Sequence, residues 1–315
     1  MEISKKLKIA LDETRMEVLG VQILIGFQFR SVFQNSFDTL PVWSRYLDGI
    51  ATLLMVCTLG LLLLPGPYHR IAEEGNSSGR FHALVGGIAL WALAPFALSI
   101  GLAVGITCER IWGVFGGLFA GAAAGLTAGY LWYGLGGLKR SEGDRERAMS
   151  RNDLEKVEDP GLHRKIDAML TEARIILPGA QALLGFQLAI VLTESFEKLE
   201  PAVKSLHGIA LLLVCLSVLL LMSPAAYHRI VYAGQDSEQF HKVGSWLVTL
   251  STVPLALGLA ADVFVVATKI WPSTYAPVMA AIFSLVVLMI SWHLLPLVVR
   301  ATKKPAMRTN NRVPA

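Results

Sequence analysis

LDETRMEVLGVQILIGFQFR, residues 11–30, returns 159 positions later as LTEARIILPGAQALLGFQLA, residues 170–189. Glu13, Arg15, Gly20, Gln22, Gly26, Phe27 and Gln28 fall on Glu172, Arg174, Gly179, Gln181, Gly185, Phe186 and Gln187. The same register carries PGPYHRI, 65–71, onto PAAYHRI, 224–230, and Phe81, His82 and Pro95 onto Phe240, His241 and Pro254. It aligns Leu11–Trp112 with Leu170–Trp271 without a gap, and roughly a third of the positions are identical. Chance does not hold register over that distance. The chain reads as a tandem duplication.

Each copy is dominated by apolar stretches. The whole chain is 54% hydrophobic and only 17% charged, with a mean hydropathy of +0.53; soluble domains carry about 25% charged residues. The spacing predicts four spans in the first copy, Met16–Phe37, Leu47–Pro65, Ala83–Ile106 and Trp112–Leu138. Four follow in the second, Ile175–Phe196, Leu206–Pro224, Val243–Ala267 and Tyr275–Val299. Such lengths suit a hydrocarbon core about 30 Å thick. The expected fold is therefore an all-α membrane protein of eight transmembrane helices in two four-helix repeats, at 1–138 and 166–315, with a basic tail on the second. A charged cytoplasmic linker, 139–165, joins them.

An even number of spans per copy makes the repeat parallel rather than inverted. Lys5, Lys6, Lys8, the linker cluster, Arg300, Lys303 and Lys304 then share one face, and the positive-inside rule places both termini in the cytoplasm. Met1–Leu19 reads as an amphipathic cytoplasmic segment and not as a cleaved signal peptide. Three cysteines form no CxxC pair or disulfide framework. The net charge of +4 serves topology, and no nucleic-acid partner is expected. The partner is the lipid bilayer.

Four residue sets stand out. Gln22, Gln28, Gln181 and Gln187 place amides inside the first span of each copy, as a polar seam or as glue between helices. His69, Arg70 and His82, with His228, Arg229 and His241, bracket a short cytoplasmic loop in each copy. They suit interfacial anchoring, proton handling or, more weakly, a metal or haem site, although no ligand spacing such as HxxxH occurs. Glu13 with Arg15, and Glu172 with Arg174, read as ion pairs where the first and fifth spans begin. Gly113, Gly117, Gly121, Gly125 and Gly129 recur every four residues along the fourth span, a close-packing stripe absent from the eighth. That stripe fits a homodimer seam or packing within the chain equally well.

Arg30, Asp262 and His293 are ionisable residues within the spans. No carboxylate recurs near the midplane of both copies, which counts against cation–proton antiport. GxSxG, HExxH and Walker-type loops are missing, so no catalytic residue, metal or cofactor is expected and the protein is read as a non-enzyme.

The runs LDETRMEVLGVQILIGFQF and PGPYHRI resemble a family of small bacterial membrane proteins classed as a domain of unknown function. Typical members of that family resemble one four-span copy, and some carry a sodium:proton antiporter label. The resemblance implies a fused double-length member in the bacterial inner membrane. The function expected is that of a small-ion or solute transporter or channel. The alternative is a structural or regulatory membrane protein that binds lipid or a partner helix, and a weaker one is a histidine-based metal or haem protein.

Overall fold

The computed structural model describes residues 3–74, 76–134, 157–158, 161–232 and 236–310. The linker stretch 139–156 and the side chains of Glu13, Arg15, His82 and Arg229 lie outside the described residues. The chain is almost entirely helical. Its main helices are α1 (Ile3–Val32), α2 (Val42–Leu63), α3 (Pro65–Ile71), α4 (Gly79–Gly129) and α5 (Gly161–Ile190). They continue with α6 (Pro201–Tyr232), α7 (Glu238–Ile270), α8 (Tyr275–Met289) and α9 (Leu295–Asn310). Ser77–Ser78 pairs antiparallel with Val157–Glu158, the one ladder among the described residues.

Six helical stretches are long and apolar enough to cross a membrane: Val42–Ile71, Leu90–Gly129, Gly161–Ile190, Pro201–Ala225, Glu238–Ile270 and Tyr275–Thr302. This differs from eight predicted spans for two physical reasons. Helix α1 carries Lys5, Lys6, Lys8, Asp12, Glu13, Arg15 and Glu17 along its first half and is not among the six. Leu90–Gly129 takes in both the third and the fourth predicted spans.

Within α4 the helical path breaks at Gly113, whose φ of 76° belongs to the region that L side chains avoid. The two arms fold back on one another there. A methyl group added at Gly121 would sit 2.7 Å from the Gly101 carbonyl oxygen, and one at Gly117 would sit 2.7 Å from that of Gly105. The glycine stripe therefore packs inside the chain, against two glycines of the preceding arm. Gly129, at the stripe's end, has open space around it. The opposite face of this arm points Phe115, Leu118, Phe119 and Leu126 outward.

Helix α1 is the least apolar of the long helices, and one face of its second half is buried while Phe27 stays exposed. Val18, Val21, Ile25, Phe29 and Val32 are all at most 1% exposed. It runs alongside α5, and equivalent positions of the two copies touch. The rings of Phe27 and Phe186 are 4.8 Å apart, and Asn35 Nδ2 donates to Glu194 Oε2 at 3.2 Å. Because both contacts preserve the 159-residue offset, α1 and α5 run parallel, with the relation between the copies centred on them. Gly26 lies against the Phe186 ring, and Gly179 against the Gln22 side chain. Farther out, Trp292 is fully buried and donates its indole N–H to the Gly60 carbonyl at 3.2 Å, tying the second half onto α2.

Gly121→Leu should lower unfolding stability by about 1–3 kcal/mol, the usual cost of overpacking. Size-exclusion with light scattering should show an unchanged oligomer, since the lost contact lies within one chain.

Candidate functional site

Two polar centres lie at opposite ends of the bundle: a distal one, towards the end of α1 at Val32, and a proximal one, towards its beginning. The distal centre sits in the second half. His207 is near the start of α6, Asp262 two turns before the end of α7, and Gln187 near the end of α5. Connections short relative to the helices bring those three ends together. Gln187 Nε2 donates to Asp262 Oδ2 at 2.5 Å, and His207 Nδ1 lies 3.1 Å from Asp262 Oδ1. His207 Nε2 lies 3.2 Å from the Gln187 carbonyl oxygen. Its neutral form donates through one ring nitrogen only, and the imidazolium donates through both. Both ring nitrogens thus face an acceptor, a carboxylate on one side and a carbonyl on the other. Exposures of 0% for Gln187 and 2% for His207 and Asp262 remove the group from surrounding solvent or lipid.

The first half holds a different version. Position 207 is matched by Asp48 and position 187 by Gln28, while Asp262 is matched by Ala103. Asp48 and Gln28 are both buried. Oδ2 of Asp48 and both amide atoms of Gln28 have no hydrogen-bond partner among the described residues. Nearby in sequence, Ser44 donates to Glu109 Oε2 at 2.6 Å, also in the interior. Each half therefore buries a carboxylate at the distal end, Asp48 and Asp262. The two occupy different repeat positions, so the 159-residue register does not pair them.

The four-glutamine seam is also corrected. Gln22, Gln28 and Gln187 are buried, but Gln181 faces outward. Two residues six apart on a helix lie about 120° apart around it. On α1 both of these directions meet neighbouring helices; on α5 the direction of Gln181 faces outward.

At the proximal end, the pairing of Glu172 with Arg174 does not form. Residues two apart point to nearly opposite sides of a helix, and Arg174 is exposed. Glu172 instead forms an ion pair with Arg70 of the other half, and Arg70 Nε donates to Thr249 Oγ1 at 3.1 Å. His69 stacks on Phe81 with centroids 5.0 Å apart, and His228 stacks on Phe240 at 4.4 Å, the same contact in each copy. His69 and His241 line one cavity, whereas His228 Nε2 stands 3.9 Å from Asp236. Among the described residues, no three His, Cys, Asp or Glu side chains gather as metal ligands. His293, singled out in the eighth span, lies 3.1 Å from Thr252 Oγ1.

The model of one family matches residues 3–136 and matches again at 156–296. The chain belongs to the Family of unknown function (DUF6328). The double match is consistent with a tandem duplication, as the 159-residue register implies. No curated protein and no solved structure matches the chain.

His207 and Asp48 are the buried polar residues of this centre that the sequence reading missed. Their signal was present: one repeat position carries an ionisable residue in both copies. Both fall at the edge of an apolar span, where charge is ordinary.

Removing Arg70 alone strands a buried carboxylate, so Arg70→Ala should cost about 3–5 kcal/mol. Replacing both partners, as Arg70→Leu with Glu172→Leu, should cost less than that single change. Equilibrium unfolding in mixed micelles of the wild type, both singles and the double would show it.

Proposed function

We propose that the protein is an eight-span transporter or channel for a small ion, with Asp262, His207 and Gln187 as its ion-handling centre and Asp48 with Gln28 as the counterpart in the first half. One observation carries this reading: a carboxylate–imidazole pair, wholly buried, in helices of membrane-spanning length. Ionisable groups at such depth are expensive, and where they occur they mark ion or proton pathways. A buried acid at the same end of the first half, Asp48, supports it further. The chemistry required is reversible binding of a proton or cation, with no bond made or broken in a substrate. The protein is accordingly read as a non-enzyme of the bacterial inner membrane.

In proteoliposomes loaded with pH- and cation-sensitive dyes, the wild type should move an ion above the empty-vesicle background. Asp262→Asn should abolish most of that flux while leaving the elution profile unchanged. Wild-type flux at background, or full flux in both Asp262→Asn and His207→Gln, would exclude the reading.

A second reading, a membrane protein that binds lipid, draws on an apolar cavity of about 640 Å³. Trp43 and Leu47 line it on one side, and Leu98, Gly101, Leu118 and Gly121 of the α4 hairpin on the other. Tightly retained lipid without any flux would favour it.

Basic flanks at Lys5, Lys6, Lys8 and Lys303 support termini in the cytoplasm. With Cys57, Cys108 and Cys215 changed to Ser, a cysteine at Asp38 or Lys198 should react with an impermeant thiol reagent on intact cells. One at Ser150 should stay protected until the cells are opened.

A further inference from the structure

The proximal end has a chemistry that ion conduction at the distal centre does not use. A cavity of about 370 Å³ lies there between the halves, bounded by α3, the start of α5, the start of α7 and Arg300. Four cationic side chains line it, Arg70, Lys165, Lys242 and Arg300, against two carboxylates, Glu74 and Glu172. Both carboxylates are engaged: Glu172 by Arg70, and Glu74 by Arg300 Nη2 at 2.9 Å. The lining keeps a formal excess of two positive charges, and its spare capacity is in nitrogen atoms. Arg70, whose side chain is only 6% exposed, has an Nη2 without a hydrogen-bond partner among the described residues. His69 Nε2 and Arg300 Nε are likewise buried without one. A donor-rich, positively charged cavity calls for a ligand that brings negative charge and several acceptor oxygens together. Guanidinium groups match a phosphate in this way, through parallel N–H bonds.

We infer that this cavity, where Arg70 and Arg300 from opposite halves converge with Lys242, binds a phosphate group, either as the free ion or on a lipid headgroup. A neighbouring cavity of about 220 Å³ shares Glu74, Lys165, His241 and Lys242 with it and adds Glu238, so across the two the cations still outnumber the carboxylates, four to three, and the site has room beyond a single phosphate. Basic pockets between membrane helices hold anionic headgroups in this manner. Because its residues come from both halves, an occupied site would bridge them next to the Arg70–Glu172 pair.

The test uses the full-length protein. In uncharged detergent, inorganic phosphate is titrated by calorimetry at constant ionic strength, with chloride as the balancing ion. In parallel, the protein is placed in nanodiscs of phosphatidylcholine with or without phosphatidylglycerol, and retained lipid is counted by native mass spectrometry. Saturable phosphate binding identifies the free ion as ligand; retention of phosphatidylglycerol alone identifies the headgroup. In either case Lys242→Gln with Arg300→Gln should weaken binding about tenfold or more, and Lys198→Gln, at the distal end, should leave it unchanged. If the double variant does not fold, Lys242→Gln alone at its exposed position carries the test, with about a threefold loss expected. Binding of neither probe, or equal binding by wild type and variant, overturns the proposal. Ion flux is not read in this experiment, so its outcome stands apart from that of the distal centre.

Discussion

Hydrocarbon offers no hydrogen bond, so a polar group carried into it is costly unless it finds a partner within the chain. This constraint organises the structure more than any apolar contact does, since lipid tails satisfy an apolar side chain as well as a neighbouring helix can. It explains why Asp262 is gripped by two side chains at once. It also explains why Arg70 reaches across to the other half for Glu172. What drives helices together here is close backbone approach and polar satisfaction. The α4 hairpin shows the first, with glycine set against glycine, and the distal and proximal centres show the second.

Most of the architecture was legible in the sequence because it rests on two signals that need no coordinates. Apolar length located the helices, and the repeated register located equivalent positions. The fourth-span stripe was legible as a packing face; its partner was not, because Gly101 and Gly105 are two isolated glycines in a different stretch and form no visible pattern of their own. The site was less legible. Glu172 lay in plain view but was matched to the wrong arginine, for lack of the angular spacing that separates neighbours on a helix. His207 and Asp262 are 55 residues apart, and only the packing of α6 against α7 brings an edge position and an interior one together.

The two halves share a framework and differ in their chemistry. The His–Phe stack recurs in each, at His69–Phe81 and His228–Phe240, and so does the buried glutamine at positions 28 and 187. The second half completes a hydrogen-bonded trio around its acid, while in the first the corresponding acid keeps an oxygen unmatched. Divergence has thus acted on the polar interior and spared the joints that hold each copy's shape.

The contact of Asn35 with Glu194 bears on how such a chain arises. Two identical subunits meeting about a twofold axis must place each residue on the axis against itself, and a glutamate there would confront another glutamate. Joining the copies into one polypeptide lifts that rule, because the facing positions become separate codons. A carboxylate can then be answered by an amide. Covalent fusion in this protein is therefore more than a tether: it permits unlike residues at the centre of the assembly, which a symmetric pair of single copies could not encode.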